Sequence, residues 1–559
     1  MGTISDKLMR IINTKEDIRR ALISKGYDVP TSIPFKEYAK MILDLPCNAD
    51  SFPDIEGIVA RYSALGLTNE QMAENPVWKD LTGNGHDLQM KNFAWKGMSG
   101  VGGYGDENYQ TFYKFTLDDY AFIASPPSVK HMNFTFRVTG LRPGNKLTLA
   151  FFGTTNTVYG TWDKDGIYTV DADIVEAGKP TYFYNGYGAT RGEFTIEILP
   201  LYPGALVFDG VDDYGVCENF PILTKEKGYT VVALRQWLSF QDIGYPTLVV
   251  NSTDRLAAFS FEDFRSKTKS TWNWGRSVGL SDYKIPLLYT YQTSTSYNSK
   301  TIYAGATEEG SNILQVCRSG IYCANAAIWE IVILDHDATE EELTKIKDYF
   351  VKTYPWLFPD QAWTVVGKTN EDEDRATIAN ITGNGNNLVL SNFGFAEGSG
   401  YNEEGEYAGY LVTDGVDDEV RSAAFTLNKD WTIVGNWEFI TNENKNAGLA
   451  KVYSFYLYNR DYGIFVYKYI NAGQGFYVKD VKSLKAICSD GRIYLNDWQE
   501  IRNNIEQEAT ISKGVMAIGY FNRDFTKVAF KNLGIYNNQI LSKDDCIKAY
   551  NYLQTLKSK

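Results

Sequence analysis

The chain repeats itself, and that repeat constrains the fold more than any other feature of its 559 residues. Residues 81–88 read LTGNGHDL and residues 381–388 read ITGNGNNL; an Asn-Phe pair follows each, Asn92-Phe93 and Asn392-Phe393. Further on, LVFDGVDDYGV (206–216) matches LVTDGVDDEVR (411–421). Strand-like runs come next, YTVVALRQW ending at Trp237 and WTIVGNWEF with Trp437. Each half closes on a capped helix, Thr339-x-x-Glu342 before LTKIKDYFVKTY and Ser542-x-x-Asp545 before CIKAYNYLQTL. Four matches in one order make the chain a tandem of a single module.

The spacing of the matches reveals an insertion. Thr82 and Asp209 stand 127 positions apart, Thr382 and Asp414 only 32, a difference of 95 residues that falls around Gly102 to Pro200. That segment has strand alternation of its own, in NFTFRVTG, KLTLAFFG, GIYTVDAD, TYFYNGYG and EFTIEILP, with β-turn chemistry at LRPGN and DKDG. It reads as a small β domain grafted onto a loop, where insertions are tolerated. The expected organisation is 1–48, a helical segment; 49–101 with 201–360, a first sandwich; 102–200, the inserted β domain; and 361–559, a second sandwich.

Composition supports strands joined by tight turns: 39 Tyr and 48 Gly against 16 Pro. Aromatic side chains fit a half-buried pleated surface, and glycine supplies positive φ at corners. The net charge of −14 opposes nucleic-acid binding, which needs clustered cations. No apolar run is long enough to span a membrane, and the first residues do not read as a secretory signal. Six cysteines without a C-x-x-C pair predict buried free thiols, not a disulfide framework.

Residues 1–45 predict short helices. Thr3 with Asp6 and Thr14 with Asp17 sit at capping spacing, and Ile11, Ile18, Leu22, Phe35, Tyr38 and Ile42 supply apolar faces. Gly26 ends one helix and Pro34 opens another. Helices this short need a partner to bury those faces, so the segment is expected to attach the chain to something else.

TGNG reads as a turn entering a strand, and DGVDD as a strand, a corner and the next strand. Its acids, Asp209, Asp212 and Asp213 or Asp414, Asp417 and Asp418, most simply accept local backbone N–H groups; Asp212 and Asp417 are the expected caps. Calcium is the alternative, since these are hard oxygen ligands, although further carboxylates or carbonyls would have to converge on them. No other cofactor is expected.

The order DLTGNGxxL, LVFDGVDDY and terminal helix resembles the laminin-G or concanavalin-like jelly-roll superfamily, over 54–100 with 200–358 and again over 361–559. The second copy departs from the first at Thr413 and Glu419, where the first has Phe208 and Tyr214. The leader, with Lys15, Ile18, Lys25, Gly26, Phe35, Tyr38, Ala39 and Ile42 in place, is similar to a segment near the N-terminus of tail and fibre proteins in bacteriophages of gut bacteria, the crAss-like type. The insertion's exit, EFTIEILPLYPGALVFDGVDDYG, also looks like these proteins. The resemblance implies a mainly β virion protein attached to the particle through its leader. Its implied partners are other virion proteins, further copies of itself as a homo-oligomer, and a host surface glycan. Neither nucleic acid nor membrane is among them.

Catalysis is not expected. A glycosidase needs two carboxylates flanking the sugar bond, and no strand-like segment carries E-x-D-x-E or E-x-D-x-x-E. Nor is there a G-x-S-x-G elbow, an H-E-x-x-H pair or a P-loop. Aromatic side chains on loops are the alternative chemistry, because they offer flat stacking surfaces to sugars. The candidates are Trp162, Tyr182, Tyr184 and Tyr187 in the insertion, and Trp272, Trp274, Tyr289, Tyr291 and Tyr297 in the first sandwich; Trp237, Trp431 and Trp437 are assigned to the core.

Overall fold

The computed structural model describes residues 52–104, 114–117, 120–124, 131–151, 156–173, 180–185, 194–223, 229–238, 247–250, 260–263, 287–292, 311–383, 385–440, 447–452, 455–460, 463–468, 475–479, 484–502, 512–518, 520–521 and 524–558. The leader, with Ile11, Ile18, Leu22, Phe35, Tyr38 and Ile42, lies outside them, as does Cys47. The chain divides into two compact units, 1–55 with 340–354 and 56–339 with 355–559. In the smaller unit the helix Glu340–Thr353 buries Ile346, Tyr349 and Phe350, and Tyr349 meets Phe52 edge-on at 4.9 Å.

The larger unit is built of antiparallel sheets, and the expected pair of sandwiches is present. In the first, one sheet orders Leu287–Gln292, Thr230–Trp237, Asn325–Leu334, Leu206–Asp209 and Gly100–Val101, with Ile58–Ser63 also pairing Asn325–Leu334. Its partner orders Ser260–Asp263, Thr247–Val250, Leu314–Val316, Tyr214–Cys217, Leu88–Lys91 and Val77–Trp78. The second sandwich repeats this order. Gly400–Tyr401, Leu411–Val412, Val528–Asn537, Trp431–Phe439 and Leu484–Cys488 run through one sheet, with Gln361–Thr364 on Val528–Asn537. Thr377–Ile378, Leu388–Ser391, Glu419–Ser422, Ala517–Ile518 and Ala447–Val452 run through the other.

Burial follows position. Thr230–Trp237 is buried at every residue, as befits a central strand covered on both faces, whereas Leu88–Lys91 and Leu388–Ser391 alternate buried and exposed. Trp237, Trp431 and Trp437 are buried, as assigned. Both sandwiches carry a β-bulge at the same place, between Leu234 and Arg235 and between Asn436 and Trp437. Conservation of a register defect shows that the duplication preserves backbone geometry and not only strand count.

The insertion forms two four-stranded sheets. One orders Gly166–Asp173, His131–Thr139, Phe194–Ile198 and Lys114–Leu117; the other orders Tyr120–Ala124, Pro180–Asn185, Leu147–Phe151 and Thr157–Trp162. Phe134, Phe136, Leu147, Leu149, Phe183 and Ile196 fill its own core. Its two ends run side by side, with Gly102 N donating to Ala205 O and Leu201 N to Gly103 O, both at 2.8 Å. It does not project freely, however. Lys164 pairs with Asp497 of the second sandwich at 2.6 Å, and Asn551 Nδ2 donates to Pro200 O at 3.3 Å.

Candidate functional site: a duplicated acidic corner

At DGVDD a strand that ends at Asp209 in the first copy and at Val412 in the second leads into the corner, a glycine turns the chain with φ of +78° or +77°, and the second sheet begins. The positive φ favours glycine, and at Gly210 a Cβ would also lie 2.6 Å from Asn325 Cβ. The carboxylate of the first Asp accepts the turn amides: Val211 N to Asp209 Oδ1 and Val416 N to Asp414 Oδ1, each 2.8 Å. That of the last Asp turns inward. Asp209 N donates to Asp213 Oδ2 and Ser99 Oγ to Asp213 Oδ1, both at 3.1 Å. In the second copy, Asp414 N meets Asp418 Oδ2 at 2.7 Å and Ser399 Oγ meets Asp418 Oδ1 at 3.0 Å.

This assigns the roles differently from the sequence. Asp212 and Asp417, the expected caps, have exposed side chains; their carbonyls accept from Asn92 and Asn392 Nδ2, each at 3.0 Å. The capping oxygens belong to Asp209 and Asp414 because they sit two residues before the amides they receive, the ordinary span of an Asx-turn. In TGNG the positive φ falls on Gly83 and Gly85, while Asn84 Nδ2 donates to Val59 O at 2.9 Å.

Burial, with the charge of Asp209 next, pushes the Asp213 carboxyl up to about 7, against the pull of its amide and Ser99 hydrogen bonds. Asp418 is pushed up to about 6, burial again leading. Each acid triad brings one oxygen per residue within 4.8 Å of the others. Calcium takes about 6–8 oxygens, so each triad offers part of a coordination sphere, and two of its three carboxylates already serve backbone amides.

Around each corner the surface is similar. Val211 and Val416 are 73% and 71% exposed at the tips. Beside the first, the hairpin of Arg318–Ser319 and Tyr322–Cys323 sets the Arg318 guanidinium 4.1 Å from the Tyr214 ring centroid and leaves Ile321 exposed. Beside the second, Tyr520–Phe521 pairs with Asp524–Phe525. Behind each corner an asparagine brackets the neighbouring strand. Asn69 receives Val101 N at 2.7 Å and donates to Val101 O at 3.2 Å; Asn370 does the same for Tyr401 at 2.8 Å each. Asn69, Asn370, Ser99 and Ser399 were missed in the sequence; Ser99 and Ser399 stand at the spacing of the TGNG repeat, and extending the self-alignment would have found them, whereas Asn69 and Asn370 are one position out of that register.

The aromatic candidates fare variously. Trp162 is half-buried and packs on the insertion core, 4.9 Å from Phe136, with its ring over Gly160. Tyr182 and Tyr184 are half-buried and alternate with buried Thr181 and Phe183 on one strand, so they line the face away from the insertion core. Tyr289 and Tyr291 fall in the strand Leu287–Gln292. Tyr187, Trp272, Trp274 and Tyr297 lie outside the described residues. Trp162, Tyr182 and Tyr184 thus belong to one sheet of the insertion and not to the strands that form the acidic corners.

Fold and site together define a tandem β-sandwich protein with one loop-bearing corner used twice. No protein-family model matches the chain, and no curated protein matches it. Among solved structures it is similar to a Trypanosoma rangeli sialidase in complex with sialic acid, at 11% identity and a TM-score of 0.25 over 40% of each chain. It is also similar to the receptor binding domain of a botulinum neurotoxin C/D mosaic serotype, at 10% identity and 0.25, over 34% of this chain and 49% of that one. The binding domain of Paraclostridial Mosquitocidal Protein 1 is similar at 12% identity and 0.22, over 33% and 50%. The chain spans half or less of the length of these structures, and at such scores the likenesses carry no functional argument.

Proposed function

We propose that the chain is a non-catalytic attachment protein of a bacteriophage virion, a tail or fibre component that presents two lectin-like sandwiches to a host surface glycan. The observation that carries this reading is the duplication of one exposed corner, hydrogen bond for hydrogen bond, on one chain. A fold needs each corner once; a binding protein gains from two, because the second contact forms at high effective concentration and weak sites add up to avidity. The leader's similarity to phage tail proteins supports attachment through 1–48, with other virion proteins and further copies of the chain as neighbours. Two of the three carboxylates in each triad serve the corner's backbone, and no metal is required for that.

The test is adsorption to host cells and to a glycan array, using the full chain and a variant with Val211→Ser, Asp212→Ala, Val416→Ser and Asp417→Ala. Retention that falls with the variant supports the reading. No retention by the intact chain would make it an architectural decoration, and release of sugar would make it an enzyme. Deleting 1–45 is expected to abolish incorporation into particles, and normal incorporation would remove the attachment role. Thermal unfolding in EDTA and in millimolar calcium checks the metal: a midpoint rising with calcium, and losing that rise in Asp209→Asn and Asp414→Asn, would overturn the metal-free reading.

A further inference from the structure

The five described cysteines are all buried and none is in a disulfide, and two of them sit on elements that Thr432 and Leu541 hold together. Cys488 ends the strand Leu484–Cys488, where it pairs with Thr432, and Cys546 lies in the first turn of the C-terminal helix Lys543–Thr555, where its N–H donates to Ser542 O at 2.9 Å; their thiols are near enough to shift each other's acidity. The surroundings hold both in place. Thr432 Oγ1 lies 3.8 Å from Cys488 Sγ and accepts from Leu541 N at 2.9 Å; Leu541 O lies 3.9 Å from the same sulfur and accepts from Arg492 at 3.1 Å. Ser542 caps the helix one turn before Cys546, so the two backbones that carry the thiols are pinned to each other through Thr432 and Leu541.

We propose that Cys488 and Cys546 are a modification site: oxidation joins them in a disulfide that staples the C-terminal helix to the sheet of the second sandwich. The oxidant is a small-molecule disulfide. The Cys488 thiolate attacks one of its sulfurs, forming a mixed disulfide and releasing one thiolate. The Cys546 thiolate then attacks Cys488 Sγ, releasing the second. The two protein protons pass to the two leaving thiolates, so dithiol and disulfide exchange one pair of electrons. The neighbouring Cys546 thiol, with Arg492 nearby, holds the Cys488 thiol below its usual range, which suits it to attack first. Because both sulfurs are buried, the first step requires the capped turn to open. The reaction is therefore slow in the folded chain and selective for this pair.

The experiment incubates the full chain, purified reduced, with oxidised and reduced glutathione at a series of ratios, then maps cysteines by alkylation under denaturing conditions and mass spectrometry. The expected result is a linked peptide pair containing Cys488 and Cys546, lighter by two hydrogens, while Cys217, Cys317 and Cys323 remain alkylatable thiols. The oxidised chain is expected to show a higher midpoint for the second sandwich, by several degrees, and Cys546→Ala to lose that rise. Recovery of both cysteines as thiols at every ratio, or as separate glutathione adducts, would overturn the proposal. Should Cys546→Ala not fold, the map of the unmodified chain decides alone.

Discussion

In the first sandwich Glu330 is fully buried on the central strand, paired across the ladder with Ser63 and Leu234, and Arg61 reaches it at 2.6 Å. The same place in the second sandwich, paired with Thr364 and Asn436, holds Asn532, which is also fully buried and donates to Leu553 O of the C-terminal helix at 3.4 Å. A second exchange lies at the corner. Phe208 packs edge-on against Phe93 at 5.1 Å, whereas its counterpart Thr413 donates to Thr526 O at 2.7 Å and accepts from Val528 N at 2.9 Å. The corner hydrogen bonds and the bulge are common to both copies; the interior polarity is not. Duplication preserved what the backbone needs and left each core to find its own way of satisfying buried groups.

That contrast predicts unequal costs. Glu330→Ala leaves a largely buried guanidinium without this carboxylate and is expected to destabilise the first sandwich by about 3–5 kcal/mol. Asn532→Ala removes a neutral group and should cost the second about 1–2 kcal/mol. Urea unfolding followed by a probe in each sandwich separates the two, and equal losses would break the comparison.

Smaller, and alike in both copies, is the inward acid of the corner. Asp213→Ala and Asp418→Ala each strand a backbone amide and a serine hydroxyl, a loss of about 1–3 kcal/mol measured the same way. Their titration has a definite sign. Both carboxyls are raised in the fold, so the native state holds more protons than the unfolded chain between pH of about 4 and the folded value. Their contribution to stability is therefore complete at low pH. It declines as pH rises, up to about 7 for Asp213 and about 6 for Asp418, by at most roughly 1.4 kcal/mol per pH unit for each. Denaturant titrations from pH 4 to 8 should show this slope and lose it in Asp213→Asn and Asp418→Asn. The smallest effect belongs to Asp212→Ala and Asp417→Ala: their side chains are exposed, so each should shift stability by less than about 0.5 kcal/mol. A larger loss would restore them as caps.

The tandem was legible in the sequence because its signals are local. TGNG and DGVDD are turn chemistry, Ser542 accepts from Asp545 N at 3.1 Å as its capping spacing implied, and strands form in all five insertion segments read as such, although Leu147–Phe151 is buried throughout and does not alternate. Three more insertion strands, Lys114–Leu117, Tyr120–Ala124 and Thr157–Trp162, were not seen, being short and placed between Gly and Asp clusters that read as loop. The corner was found but its inner residues were misassigned, since one Asp in a run looks like the next until something decides which faces inward.

The sequence by itself thus determined the repeated module, the site of the insertion and the position of each corner, all of which rest on interactions spanning a few residues. Tertiary structure alone decided that Asp213 faces inward to a serine 114 positions away. It also decided that the insertion leans on Asp497, and that Glu330 takes an arginine where Asn532 takes a helix carbonyl. Those choices depend on which surfaces lose water together. Burial sets the cost of a charge or an unpaired amide, and it is fixed only when distant segments have met.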